Sequence, residues 1–436
     1  MTAVGEVVSA REIMPRRSNT GLVTWLCWIA MFAEGYDMSA LGAVLPGMLT
    51  DPVWHLTPAG ASLLASCALV GMFFGGYGFG VIADRTGRKR AFLMCVTLFS
   101  LASTCAALAP WPAVFGVARF FCGVGVGGIV PICSALVYEF SPPESANRQY
   151  ALMYSGYTLG ILGAALAAFG LLEPHGWRVV IGLGAAPLLL MPVFAGLMPE
   201  SVAFLSARGR KAEAAAVAAR YGIALPAEDV KPASDAARVG LRALFAPGYR
   251  RATAGFWLAT FAGMVVVYGL TTWLPQIMKS AGYELGPSIL FLGVFALASS
   301  AGGVVLGFIA DRIGRTVTIL CAFAVGAGAI LALNHPWPLA VTYAIVAVAG
   351  VGTISAAVMV TSYLAAYFPS GIRATAVGSC LSFSRFGAVC GPIVGGLVAT
   401  YGLPLAWNFT AYGSAALLAA AAILLPPVLR DGHVAS

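Results

Sequence analysis

Apolar residues run through this chain in long, nearly unbroken stretches. They show neither the short alternation of strands nor the one-sided stripe of a surface helix. Twelve stretches stand out, near 22–47, 58–82, 91–109, 111–136, 150–172, 177–198, 252–278, 287–309, 317–334, 337–363, 374–400 and 404–427. An α-helix needs roughly 20 such residues to cross the hydrocarbon core of a bilayer. The pattern therefore predicts an all-α integral membrane protein with twelve transmembrane helices. One long polar stretch, about 199–250, interrupts it. Within that stretch Leu205 to Tyr221 reads as a surface helix, followed by a Pro- and Asp-containing linker.

The second half repeats the first. Gly80-Val-Ile-Ala-Asp84-Arg85-Thr-Gly87-Arg88-Lys89 is answered 227 residues on by Gly307-Phe-Ile-Ala-Asp311-Arg312-Ile-Gly314-Arg315-Thr316. Trp28, Phe32, Leu45 and Pro46 match Trp257, Phe261, Leu274 and Pro275 at an offset of 229. Gly123 and Gly125 match Gly350 and Gly352, and Gly156 and Gly160 match Gly387 and Gly391. Helices one to six thus correspond to seven to twelve. The chain divides into a tail 1–21, a six-helix bundle 22–198, a central loop 199–250, a second bundle 251–427 and a tail 428–436. Two similar bundles suit a transporter whose halves rock around a central site. Glycines four residues apart let helices approach closely in lipid.

Composition sharpens this picture. The 436 residues are 60% hydrophobic and 10% charged, where soluble proteins are about a quarter charged. The net charge of +8 does not point to nucleic acid, because its placement follows topology. Arg11, Arg16, Arg17, Arg85, Arg88, Lys89, Arg90, Arg148, nine Lys and Arg between the sixth and seventh helices, Arg312, Arg315, Arg373 and Arg430 all fall on one side. The opposite loops hold Arg178 and Lys279. By the positive-inside rule both termini and the central loop are cytoplasmic. All nine Cys lie in predicted helices and read as small apolar packers; the four His suggest no metal site.

The duplicated loop, the twelve helices and the basic central loop resemble the major facilitator superfamily over about residues 20–427. The resemblance implies two pseudo-symmetric six-helix bundles that work by alternating access, usually as a monomer. It also implies a conformational latch at the cytoplasmic ends of the second and eighth helices. Gly80, Asp84, Arg85, Gly87 and Arg88 would form one copy, and Asp311, Arg312, Gly314 and Arg315 the other, holding the halves together in the outward-facing state. The second copy has Thr316 where the first has Lys89.

The repeat separates what the fold requires from what function adds. Glu34 aligns with Gly263, Asp37 with Val266, Arg119 with Val346 and Arg385 with Tyr154. None of these charges is demanded by the fold, and a charge at mid-membrane is by default functional. Glu34 and Asp37 are three residues apart and share a helix face. Two close carboxylates out of bulk water do not both ionise easily, which suits proton coupling. Pairing of one of them with Arg119 is the structural alternative. Arg119 begins a glycine run on one helix face, and proton transfer, pairing with Asp37 and substrate contact all remain open to it. Arg385 has no acidic residue among the second-half spans to neutralise it. Its fork matches a carboxylate, and Phe383 and Phe386 beside it can stack on a flat ring; pairing with Glu34 or Asp37 is the alternative. Tyr36, Tyr154 and Tyr157 are further candidates for the substrate site, whereas Trp28 and Trp257, present in both halves, suit packing.

Phe32-Ala-Glu34-Gly35-Tyr36-Asp37 with Gly42 and Leu45-Pro46 resembles the first-helix signature of the aromatic acid:proton symporter family. That resemblance implies import of benzoate-like acids such as hydroxybenzoates with protons across a bacterial inner membrane, and a need for Glu34 and Asp37 in transport. The family's usual residue at 34 is Asp; Glu keeps the acid and changes its reach. The proton gradient would be the energy source, with no cofactor, and no phosphate-binding loop is present. Ile161 stands where proton-driven exporters of the superfamily often carry a proline, and the Gly-Pro pair falls instead at Gly391-Pro392. Few Asn and Gln in the spans argue against a sugar carrier. No nucleophile–base pair supports an enzyme, and the short termini do not suit a receptor.

Overall fold

The computed structural model describes residues 20–142, 144–223, 225 and 241–427. Most of the two expected tails, with Arg11, Arg16, Arg17 and Arg430, lies outside the described residues, as do Lys231 and Arg238 of the linker. Among the described residues all regular structure is helical. In lipid this follows from the need to satisfy every backbone polar group within its own segment.

The first six spans are Thr20–Met48, Pro58–Thr86, Arg88–Ala107, Pro112–Phe140, Ala146–His175 and Trp177–Leu197. The second six are Arg250–Ser280, Leu285–Ile313, Arg315–Ala332, Leu339–Tyr367, Ser370–Thr400 and Ala406–Ala422. Ten of them are long and apolar enough to cross a membrane on composition alone. The first is diluted by Glu34 and Asp37, and the twelfth has 17 residues. The expected surface helix at 205–221 is two helices, Val202–Ala207 and Lys211–Tyr221. Gly209 divides them with a φ of +72°, a left-handed backbone that ends a helix.

Each half follows one packing plan. The first span lies on the fifth and the second on the fourth; the seventh lies on the eleventh and the eighth on the tenth. Glycine makes this possible. A Cβ at Gly123 would sit 1.9 Å from the Ala68 carbonyl oxygen, and one at Gly387 2.2 Å from that of Phe261. The duplicated loops are alike for a backbone reason: Gly87 (φ +101°) and Gly314 (φ +90°) turn the chain between spans in a conformation that side chains disfavour.

The halves meet away from those loops. Gly42 of the first span abuts the Thr271 carbonyl of the seventh, where a Cβ would lie 2.0 Å away. Ser62 Oγ donates to the Pro392 carbonyl (2.8 Å) and Ser66 Oγ to that of Val389 (3.2 Å). Trp273 Nε1 also donates to Pro392 O (2.8 Å). The Gly391-Pro392 pair thus serves the contact between halves. On the other flank, Gly286 and Gly293 of the eighth span pack on Phe169 and Leu162 of the fifth. At the end bearing the duplicated loops, residues 311–315 are exposed, and Gly80 and Gly307 have nothing packed against them. The structure is therefore closed at the far end and open at the loop end.

A side chain at position 42 should prevent that closure. In Gly42→Leu, the distance between spin labels at the exposed far-end residues Val53 and Tyr401 should lengthen in double electron–electron resonance. An unchanged distance would mean that the contact does not set the closed end.

Candidate functional site

The buried charges gather in the middle of the first half. Asp37 and Arg119 are each 1% exposed. Arg119 Nη1 donates to Asp37 Oδ2 at 2.8 Å, and Nη2 donates to the Asp37 backbone carbonyl at 3.2 Å. Ser103 of the third span donates its hydroxyl to Asp37 Oδ1 at 2.7 Å. The Cys122 thiol lies 3.7 Å from the same oxygen and 3.1 Å from Ser103 Oγ. Gly184 of the sixth span closes the pocket: a Cβ there would come within 3.1 Å of Asp37 Oδ1 and 3.0 Å of Ser103 Oγ. Of the readings open to Arg119, the geometry realises the pair with Asp37. Ser103 could not be found by comparing charges between the halves, because it carries none.

Glu34, one turn earlier, is equally buried at 1% exposure. Its Oε2 has no hydrogen-bond partner among the described residues. It lies within electrostatic reach of Arg385 and of Asp37. Gly35 holds the first span hard against the fifth, a Cβ there lying 2.0 Å from the Tyr157 carbonyl oxygen. That contact places Glu34 beside Tyr154 and Tyr157.

Arg385 of the eleventh span is half-buried and makes no ion pair among the described residues; its Nη1 lies 3.2 Å from Met72 Sδ of the second span. Tyr154 is within electrostatic reach of both Glu34 and Arg385, and the phenols of Tyr157 and Tyr268 meet across the interface. Tyr150, Tyr154 and Tyr157 form a ladder with ring centroids 6.1 and 5.8 Å apart. Phe383 stacks on Trp257 at 4.8 Å, whereas Phe386 turns towards Phe73 at 6.1 Å and is 58% exposed. The two phenylalanines meet each other edge-on at 6.2 Å and otherwise pack against different rings. Tyr36 points away, into the first half, and spends its hydroxyl on the Val180 carbonyl (2.8 Å). A cavity of about 310 Å3, lined by Trp273, Gln276 and Asn408 among others, lies at the far end, apart from these charges.

The first charged loop is clasped by the segment after the sixth span. Arg88 pairs with Glu139. Glu139 Oε1 accepts from Ser201 Oγ (3.0 Å) and the Ala203 amide (2.8 Å). Glu200 Oε1 accepts from the amides of Lys89 (3.1 Å) and Ser201 (2.9 Å). Glu200 and Ser201 thus form a structural clasp. Asp84, Arg85, Asp311, Arg312 and Arg315 are at the surface or near it at the open end.

A model of the Major Facilitator Superfamily matches residues 27–378 and 288–435. The chain belongs to this superfamily. It is 33% identical to the gallate transporter of Pseudomonas putida over 94% of this chain and 92% of that protein. It is 29% identical to the benzoate transport protein of Acinetobacter baylyi, over 92% and 88%. The inward open conformation of the xylose transporter XylE from E. coli superposes with a TM-score of 0.76 at 16% identity, over 95% of this chain and 98% of that one. The major facilitator fold, twelve helices in two bundles, is therefore this protein's fold, and the protein is a transporter rather than an enzyme.

At the far end of this transporter Asp51 holds the first bundle's loops. It accepts from Trp177 Nε1 (2.8 Å) and from the amides of Val53 (2.8 Å) and Trp54 (3.2 Å). Arg178 lies over the Trp177 and Trp54 rings. Partial burial raises the Asp51 carboxyl, but the Trp177 and backbone hydrogen bonds and nearby Arg178 outweigh it and leave the carboxyl below its ordinary 3.8. A lowered folded-state value means the stabilisation is present above the ordinary value and lost as pH falls through the lower one. Melting curves of the wild type should therefore drop more steeply below about pH 4 than those of Asp51→Asn, by a small amount because the group is only partly buried at the surface.

Arg119→Met leaves Asp37 buried without its counter-ion, a loss of about 3–5 kcal/mol. Its melting temperature in detergent should fall well below that of the wild type, and Arg119→Met with Asp37→Asn should recover part of the loss.

Proposed function

We propose that this transporter imports a small aromatic carboxylate, such as a benzoate or hydroxybenzoate, together with protons. The observation that carries the reading is Arg385. It is a mid-span guanidinium without an ion pair among the described residues, at the interface between halves, beside Tyr154 and within reach of buried Glu34. A desolvated guanidinium favours an anion, and its planar fork matches a carboxylate. The aromatic side chains around it offer faces to a ring. Gallate and benzoate, named for two relatives, share a ring bearing one carboxylate.

In this mechanism the substrate carboxylate sits on Arg385 while a carboxyl of the first span carries the proton. Protonation reduces the charge in a low-dielectric site and lets the halves move. Substrate and proton leave at the loop end, which the basic residues assign to the cytoplasm of a bacterial cell. The return step closes that end, bringing the Asp84 and Asp311 loops together as a latch, and opens the contacts at Gly42 and Ser62. The carrier works as a monomer in the inner membrane and draws on the proton gradient without a cofactor.

Proteoliposomes should accumulate radiolabelled 4-hydroxybenzoate when an inward proton gradient is imposed, and should not accumulate glucose. Arg385→Ala should weaken apparent affinity by about 10- to 100-fold, the loss of one charged hydrogen bond, and Arg385→Lys by less. Active vesicles that move no benzoate would sink the substrate assignment; accumulation indifferent to the gradient would sink the coupling.

A further inference from the structure

The two first-span carboxylates are not equivalent. Asp37 is filled: Arg119 Nη1 takes Oδ2, Ser103 takes Oδ1, the Cys122 thiol lies against Oδ1, and Gly184 seals the remaining side. Both carboxylate oxygens of Asp37 are thus engaged, and a proton arriving there must displace a contact already made. Glu34 is as deeply buried, and its Oε2 has no hydrogen-bond partner among the described residues. A buried carboxylate oxygen with nothing to bond is costly, and a proton removes most of that cost. Its surroundings are sparse in charge. Arg385 of the eleventh span and Asp37 of its own act on it. The other titratable groups that face it are neutral at ordinary pH, namely Tyr150, Tyr154 and Tyr157 of the fifth span, Cys95 of the third and Cys133 of the fourth.

From this geometry we propose that Glu34 is the proton-exchanging carboxyl, while Asp37 is the standing counter-ion of Arg119, kept so by Ser103 as a positioning residue. In the proposed step an O–H bond of hydronium breaks as the Glu34 Oε2–H bond forms and water is released; deprotonation is the reverse. Arg385, within reach of Glu34, links the two events: while Glu34 is ionised it competes for the guanidinium, and once protonated it releases the guanidinium to a substrate anion. This division of labour rests on the proton-coupled reading above.

The test is pH-jump infrared difference spectroscopy on the full-length protein in nanodiscs, which needs no substrate. As pH falls towards about 6, still above the range in which ordinary Asp and Glu side chains titrate, the wild type should show one protonated-carboxyl C=O band forming. Glu34→Gln should lose that band, and Glu34→Asp should keep it at a shifted frequency. Asp37→Asn should retain it; if that variant does not fold, Asp37→Asn with Arg119→Gln removes both charges and answers the same question. Ser103→Ala should add a second band as Asp37 is freed to protonate, an effect that a merely structural serine would not produce. A wild-type band that survives Glu34→Gln and disappears in the Asp37 variants would overturn the assignment, as would the absence of any band. If the band behaves as expected and vesicles still transport no benzoate, the substrate reading fails while the assignment of Glu34 stands.

Discussion

A charge inside a bilayer must be compensated, and this structure is organised around that demand. Arg119 and Asp37 neutralise each other at 2.8 Å in the middle of the first bundle. Breaking such a pair costs several kcal/mol because the survivor is left buried and unpaired. The surrounding helices are set to keep it intact. The third span supplies Ser103, the fourth Cys122, and the sixth comes close enough to seal the pocket because position 184 has no side chain. With Asp37 committed, Glu34 is left as the carboxylate without a dedicated partner.

The second half shows the same scaffold without the charges. Val266 and Val346 are buried in its apolar core, and a Cβ at Gly263 would lie 3.3 Å from the Phe323 ring. Where the first half buries an ion pair, the second buries hydrocarbon. The exception is Arg385, which lies at the interface and reaches towards the first bundle. The polar apparatus is therefore split, with carboxylates on one moving body and a guanidinium on the other. In the proposed mechanism, rocking the bodies would change how the two charges act on each other and so couple a proton to an anion.

The same asymmetry appears at the ends of the molecule. Ser62 and Ser66 of the first half bond carbonyls of the Gly391-Pro392 region in the second, so the far end is held by short hydrogen bonds and a glycine contact. These have little side-chain bulk and separate without large rearrangement. At the loop end the first charged loop is bound to its own bundle through Glu139 and Glu200, while residues 311–315 are exposed. A loop bound to its own bundle in one half and an exposed loop in the other suit the latch proposed above.

The sequence by itself determined the twelve helices, the duplication and which charges the fold does not need. Those follow from period, length and comparison of one half with the other, all properties of a line of residues. It also placed Glu34, Asp37, Arg119 and Arg385 among the candidates, because a charge in lipid is conspicuous. It did not tell Asp37 from Glu34, since both lie on one face and both have a cation available. Only the tertiary structure decided that Arg119 belongs to Asp37, that Tyr36 turns inward to Val180, and that Phe383 and Phe386, which meet edge-on, otherwise pack against different rings. The physical reason is that hydrogen bonds are set by distance and direction between helices far apart in sequence. A neutral donor such as Ser103 is one small residue among many until the third span is brought against the first.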